Sequence, residues 1–138
     1  MNWKQFVIAV IVAFVALGVM DFIINVVILG DVYEPLMGTI FRSQDDMNSK
    51  MWAMYVGEFI FALMFVWIYT HGVKGKGIME GLRYGLYIGL MIWLMSSLAM
   101  WAMLPISAWL AWMWVIFGLI EMIILGLIVG AIYKTAKV

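Results

Sequence analysis

The sequence predicts an all-α integral membrane protein, built as an antiparallel bundle of four spanning helices. Hydrophobic residues make up 67% of the 138 residues and charged residues only 12%, and the mean hydropathy is +1.10. Several apolar runs exceed about eighteen residues, which is long enough to cross a hydrocarbon core of about 30 Å. A water-soluble domain of this composition lacks the polar residues to cover its surface, so that class is excluded.

The four spans can be placed from the apolar runs. The first is expected at about residues 5–29, because its run is too long for a secretory signal sequence. The others are expected at about 51–71, 79–103 and 107–133. Residues 30–50 form the long polar segment, in which Pro35 and Gly38 interrupt any helix. The other connections are short, which favours a single domain (1–138) folded as an up-down bundle.

Basic residues are distributed unequally between the two sides of the predicted bundle. Two of them, Arg42 and Lys50, lie on the side of the long polar segment. The others share the side of the two termini: Lys4, Lys74, Lys76, Arg83, Lys134 and Lys137. Because cytoplasmic loops carry the excess of Lys and Arg, we expect both termini in the cytoplasm.

Six polar side chains inside the spans are the candidate ligand- or ion-binding residues: Asp21, Asn25, Glu58, Ser96, Ser97 and Glu121. Asp21 and Asn25 are one helical turn apart and share a face. From the rise per residue, Asp21 lies about 12 Å and Glu58 about 10 Å from the outward end of its span, whereas Glu121 lies about 20 Å from it. We therefore expect a polar layer in the outward half, with one carboxyl group beneath it.

These carboxyl groups are costly in either protonation state. A charged carboxylate in mid-span costs about 2.5 to 3.5 kcal/mol, and keeping a glutamate protonated at pH 7 costs about 3.7 kcal/mol. Three solutions are open, namely protonated carboxyls in hydrogen bonds, a water-filled cavity, or a bound cation. The functional interpretation is an outward-half site that binds or transports a proton, a cation or a small cationic solute. In the competing interpretation, the carboxyls only join helices through hydrogen bonds.

Glycines recur every fourth residue on two spans, and they indicate helix packing: Gly81, Gly85, Gly89, Gly126 and Gly130. The close helix contacts that these glycines permit lie either within the bundle or between two copies of the chain. The alternative function is therefore a non-catalytic accessory subunit, which packs against itself or a larger membrane complex through these glycine stripes.

The chain lacks the residues that most metal sites, cofactor sites and enzyme active sites require. The chain has no cysteine, one histidine and no enzyme signature, so we expect no metal, no cofactor and, on balance, no enzymatic activity. The methionines near Met95 invite a Cu(I) site, but flexible packing explains them better. Formal net charge is zero, so we do not expect nucleic acid as a partner. The apolar spans make the lipid bilayer the expected partner.

Four segments carry a family resemblance: GVMDFIIN, LGDVYEPLM with FR, GEFIFALMFVWIY and EGLRYGLYIGLM. Together they resemble an uncharacterised group of small four-span bacterial membrane proteins, defined by a domain of unknown function. The resemblance implies four spans and a bacterial inner-membrane location, and it implies no activity. Small multidrug transporters are similar in length, span number and an intramembrane glutamate. Their essential glutamate lies in the first span, where this chain has Asp21.

Overall fold

The computed structural model describes residues 1–134, which form four long helices. These are α1 (Trp3–Ile28), α2 (Met51–Gly72), α3 (Ile78–Met103) and α4 (Ala108–Ile132). Each is long and apolar enough to cross a membrane. The prediction of an all-helical chain with four long apolar helices is confirmed. Lys137, which contributed to the predicted orientation, lies outside the described residues.

Local sequence explains where the helices begin. The Asn2 side chain accepts a hydrogen bond from the Gln5 N–H at the start of α1, and the Ser107 hydroxyl accepts from Leu110 N–H at the start of α4. Both are N-caps of the usual residue type. Before α3 the chain turns at Gly77, whose φ of 78° favours glycine. Short links of this kind make neighbouring helices antiparallel.

Contacts between side chains define the order of the helices. α1 packs antiparallel against α2, with the Phe6 and Trp67 rings 5.8 Å apart. It also packs antiparallel against α4, since the Asn2 N–H donates to the Tyr133 hydroxyl at 3.3 Å. α3 packs against α4, and the Tyr84 hydroxyl of α3 donates to the Phe65 carbonyl of α2 at 2.7 Å. The four helices therefore form a bundle.

The main hydrophobic core occupies one half of the bundle, which we call the termini end because Asn2 and Tyr133 meet there. On α1 it runs from Phe6 to Leu17, and on α2 from Ala62 to Tyr69. On α4 it begins at Met122. Towards the opposite, loop end, α2 is mostly exposed between Trp52 and Ile60, and Glu58 is half-buried there.

Both glycine stripes lie in the interface between α3 and α4. A Cβ on Gly81 would lie 2.1 Å from the carbonyl oxygen of Gly126, and one on Gly85 would lie 2.1 Å from that of Met122. Gly89 and Gly130 also face this interface, where a Cβ would lie 3.1 Å from its nearest neighbour. The stripes thus bring two backbones of the same chain into direct contact.

The segment between α1 and α2 folds over the loop end in three short helices, Gly30–Tyr33, Glu34–Leu36 and Gln44–Asn48. Asp46 forms ion pairs with Arg42, at 2.8 Å, and with Lys50. Hydrogen bonds from Lys50 and Arg42 lower the pKa of Asp46. These contacts connect the last short helix to its flanking residues.

Candidate functional site

Asp21 of α1 and Glu58 of α2 form a carboxyl pair at the loop end of the main core. Their side chains lie within hydrogen-bonding reach of each other. Gly18, one turn before Asp21, lies beside this pair, because Glu58 Oε2 is 4.0 Å from the position that a Cβ on Gly18 would occupy. The sequence placed the two carboxyls at similar depth, and the structure brings them together.

Glu121 lies beside this pair on α4. Only 2% of the residue is exposed, and its Oε1 has no hydrogen-bond partner among the described residues. It is close enough to Asp21 and Glu58 for their charges to act on it. The rise per residue predicted a carboxyl well below the other two. The packing of α4 against α1 brings Glu121 within range of the charges of the pair, and its greater depth stays a prediction.

A π-helical segment, Ile23–Ile28, follows Asp21 in α1. Within it, the Asn25 Nδ2 donates to the backbone carbonyl of Asp21 at 3.1 Å and to Asp21 Oδ1 at 3.4 Å. Segments of this kind are frequent at functional sites, since they change the direction of side chains within a helix. Asn25 therefore supplies a hydrogen-bond donor directly to the carboxyl pair.

Tyr33 and Trp114 extend the network, and sequence reasoning missed both. The Tyr33 hydroxyl donates to Asn25 Oδ1 at 3.0 Å, and the Trp114 Nε1–H donates to the Tyr33 hydroxyl at 2.6 Å. Phe41 packs beside both rings, with centroids 5.8 Å from Tyr33 and 6.5 Å from Trp114. The sequence shows only that Tyr33 is an aromatic residue with a hydroxyl group in a polar loop, eight residues after Asn25. That position does not show towards which residues the side chain points.

The two serines on α3 have different environments. Ser97 is 1% exposed, and its Oγ has no hydrogen-bond partner among residues 1–134. Ser96 is exposed, because consecutive residues on a helix point about 100° apart. The structure describes no hydrogen bond between either serine and the carboxyl pair. Met91 and Met95, from the methionine-rich part of α3, are 63% and 76% exposed on the bundle surface.

No basic side chain among residues 1–134 forms an ion pair with Asp21 or Glu58. Within the described part of the chain, the side-chain ion pairs are those of Asp46 in the loop. The same residues contain no group of three or more His, Cys, Asp or Glu side chains that could hold a metal ion. The three carboxyl groups are therefore close to one another without the spacing of a metal site.

Comparisons with known proteins supply no assignment. No protein-family model matches the chain, and no curated protein or solved structure matches it either. The resemblance to small four-span bacterial membrane proteins therefore stays a prediction from the residues.

Proposed function

We propose that this chain is an integral membrane protein whose Asp21–Glu58 pair binds a proton and exchanges it for a cation or a small cationic solute. Its location is the bacterial inner membrane, with both termini in the cytoplasm and the pair in the outward half. The unequal distribution of basic residues supports this orientation.

The observation that carries the proposal is a contact between two carboxyl groups without a basic neighbour. At about 4 Å and an effective dielectric constant of about 20, two unit charges of the same sign repel by about 4 kcal/mol. A shared proton removes this repulsion and turns it into a hydrogen bond. A bound cation neutralises the pair equally well, so proton and cation compete for one site.

The alternative of an accessory subunit has less support. It relied on glycine stripes that were available to a partner, and both stripes are occupied by the contact between α3 and α4. Glu121 also differs from a simple helix-joining residue, because its Oε1 is buried and has no hydrogen-bond partner among residues 1–134. A residue that served only to join helices would have this oxygen hydrogen-bonded.

The proposal is tested by Glu58→Gln in protein reconstituted into nanodiscs. The amide has nearly the same shape but cannot bind and release a proton near neutral pH. We expect the wild type to release protons when inorganic cations or small organic amines are added, and the variant to lose this release. Proton release is measured with a pH indicator in weakly buffered solution.

Glu34→Gln is the matched control, since Glu34 is an exposed carboxylate in the loop. It should release protons as the wild type does. Unchanged proton release in Glu58→Gln, with the fold retained by circular dichroism, would remove Glu58 from the mechanism.

A further inference from the structure

A series of hydrogen bonds leads from Trp114 to the carboxyl pair, and in each bond the donor and the acceptor can be identified. An indole N–H can only donate, so the Tyr33 hydroxyl accepts from Trp114. The Tyr33 hydrogen stays available, and the hydroxyl donates it to Asn25 Oδ1. In this arrangement the carbonyl side of the Asn25 amide faces Tyr33.

The other end of the network imposes the same orientation independently. The backbone carbonyl of Asp21 can only accept, and it lies 3.1 Å from Asn25 Nδ2. A flipped Asn25 amide would place its oxygen against this carbonyl. The amide N–H₂ group must therefore face Asp21, where it also donates to Oδ1 at 3.4 Å.

The two carboxyls consequently differ in the donors they receive. Asp21 receives one from Asn25, whereas Glu58 Oε2 is buried and has no partner among residues 1–134. A hydrogen bond to a carboxylate stabilises its charged form. The negative charge of the pair is thus better accommodated on Asp21.

We propose that Trp114, Tyr33 and Asn25 fix the position of the shared proton, so that Glu58 carries it and Asp21 is the charged acceptor. Trp114 and Tyr33 are positioning residues, because they act through Asn25. This inference rests on the proposed function, since it concerns a proton bound at the same pair.

The other groups around the pair do not oppose this assignment. From α4 the pair faces Glu121, a third carboxyl group, 2% exposed and with Oε1 unpartnered among the described residues. From the loop it faces Tyr33. The titratable residues of α3 all lie between positions 80 and 87, towards the termini end. No described group donates to Glu58 in the way that Asn25 donates to Asp21.

Isotope-edited infrared spectroscopy of the full chain in nanodiscs tests this assignment. A protonated carboxyl group has a separate C=O stretch, which shifts when that carboxyl carbon is labelled with ¹³C. The absorption that is present in the wild type and missing in Glu58→Gln identifies the proton on the pair. In the wild type we expect this absorption to shift when glutamate is labelled and to stay in place when aspartate is labelled. Spectra of Glu121→Gln identify the part of the glutamate absorption that belongs to Glu121.

Trp114→Phe and Tyr33→Phe remove the directing donors and keep an aromatic ring at each position. In both variants part of the absorption should shift with labelled aspartate, because only the contact with the Asp21 backbone carbonyl then orients the Asn25 amide. Trp109→Phe, at an exposed tryptophan of the same helix, should give the wild-type spectrum.

The outcomes separate the two proposals. If no protonated-carboxyl absorption at neutral pH depends on Glu58 or Asp21, the proposed function fails. If such an absorption exists but shifts with labelled aspartate in the wild type, the pair binds a proton and our assignment of it is overturned. An absorption that stays on glutamate in both Trp114→Phe and Tyr33→Phe would also overturn the role of the directing donors.

Discussion

At the scale of single residues, Glu121 shows that the site is not optimised for stability. Burying a polar atom without a hydrogen bond costs about 1 to 3 kcal/mol. Glu121 Oε1 is such an atom as far as residues 1–134 are concerned, and the charges of two further carboxyls act on it. A residue that only joined helices would have its oxygens paired. The unpaired oxygen is consistent with a group retained for its chemistry.

This leads to a prediction for Glu121→Leu. The apolar side chain has a similar volume and removes the unpaired oxygen, so the free energy of unfolding should rise by about 1 kcal/mol or more. Reversible unfolding in mixed detergent micelles measures this change. Glu121→Gln is the control and should give no such gain, because it keeps a buried polar group. A clear loss of stability in Glu121→Leu would show that the carboxyl has a structural role.

The residues of the site differ in how far the sequence can predict them. Asp21, Asn25 and Glu58 are recognisable because a polar side chain inside an apolar run is rare and costly. Tyr33 carries no such signal, since an aromatic residue in a polar loop is ordinary. Trp114 is one of eight tryptophans, and its role depends on a loop conformation that periodicity does not determine.

At the scale of elements, the interface between α3 and α4 depends on glycine more than any other. The neighbours of a new Cβ are backbone atoms, which cannot move as a side-chain end can, at four positions of this interface: Gly81, Gly85, Gly126 and Gly130. Even the smallest side chain must therefore separate the two helices. The glycines of the two stripes act as one structural unit.

Gly85→Ala should lower the free energy of unfolding by about 1 to 3 kcal/mol, because its methyl group would lie 2.1 Å from the carbonyl oxygen of Met122. Gly57→Ala on α2 is the matched control, since no atom lies within 4 Å of the new methyl group. It should leave stability unchanged or raise it, because alanine favours helices. Unfolding of both variants in the same detergent measures the difference. Equal stabilities would contradict the tight contact.

The π-helical segment of α1 lies beyond the reach of sequence patterns. The apolar run through Ile23–Ile28 predicts a continuous helix, and it contains no proline or glycine that marks an irregularity. Within the segment, Asn25 forms a local hydrogen bond with Asp21 and a second one with Tyr33 of the loop. The second contact forms only after the loop has folded back.

At the scale of the whole molecule, hydropathy predicts the helices closely. The expected first and last residues of the spans differ from those of α1 to α4 by no more than two positions. The reason is physical, since the thickness of a hydrocarbon core fixes the length of an apolar run. The relative rotation and depth of the helices depend on side-chain packing.

The orientation in the membrane can be tested because the chain has no cysteine. Single cysteines at Asp45, in the loop, and at Lys76, between α2 and α3, occupy exposed positions on opposite ends of the bundle. An impermeant maleimide added to intact spheroplasts should label Asp45→Cys and should label Lys76→Cys only after lysis. The reverse pattern would show that the termini face outward.

The contact between Gly81 and Gly126 also restricts how this chain can change in evolution. When a large side chain packs against a small one, a second substitution can restore the lost volume by exchanging the two sizes. Here each glycine would meet the other's carbonyl group, at 2.1 Å in both directions. Since no change of partner side chain can remove a backbone atom, a second substitution of this kind cannot compensate for a larger residue at Gly81 or Gly126.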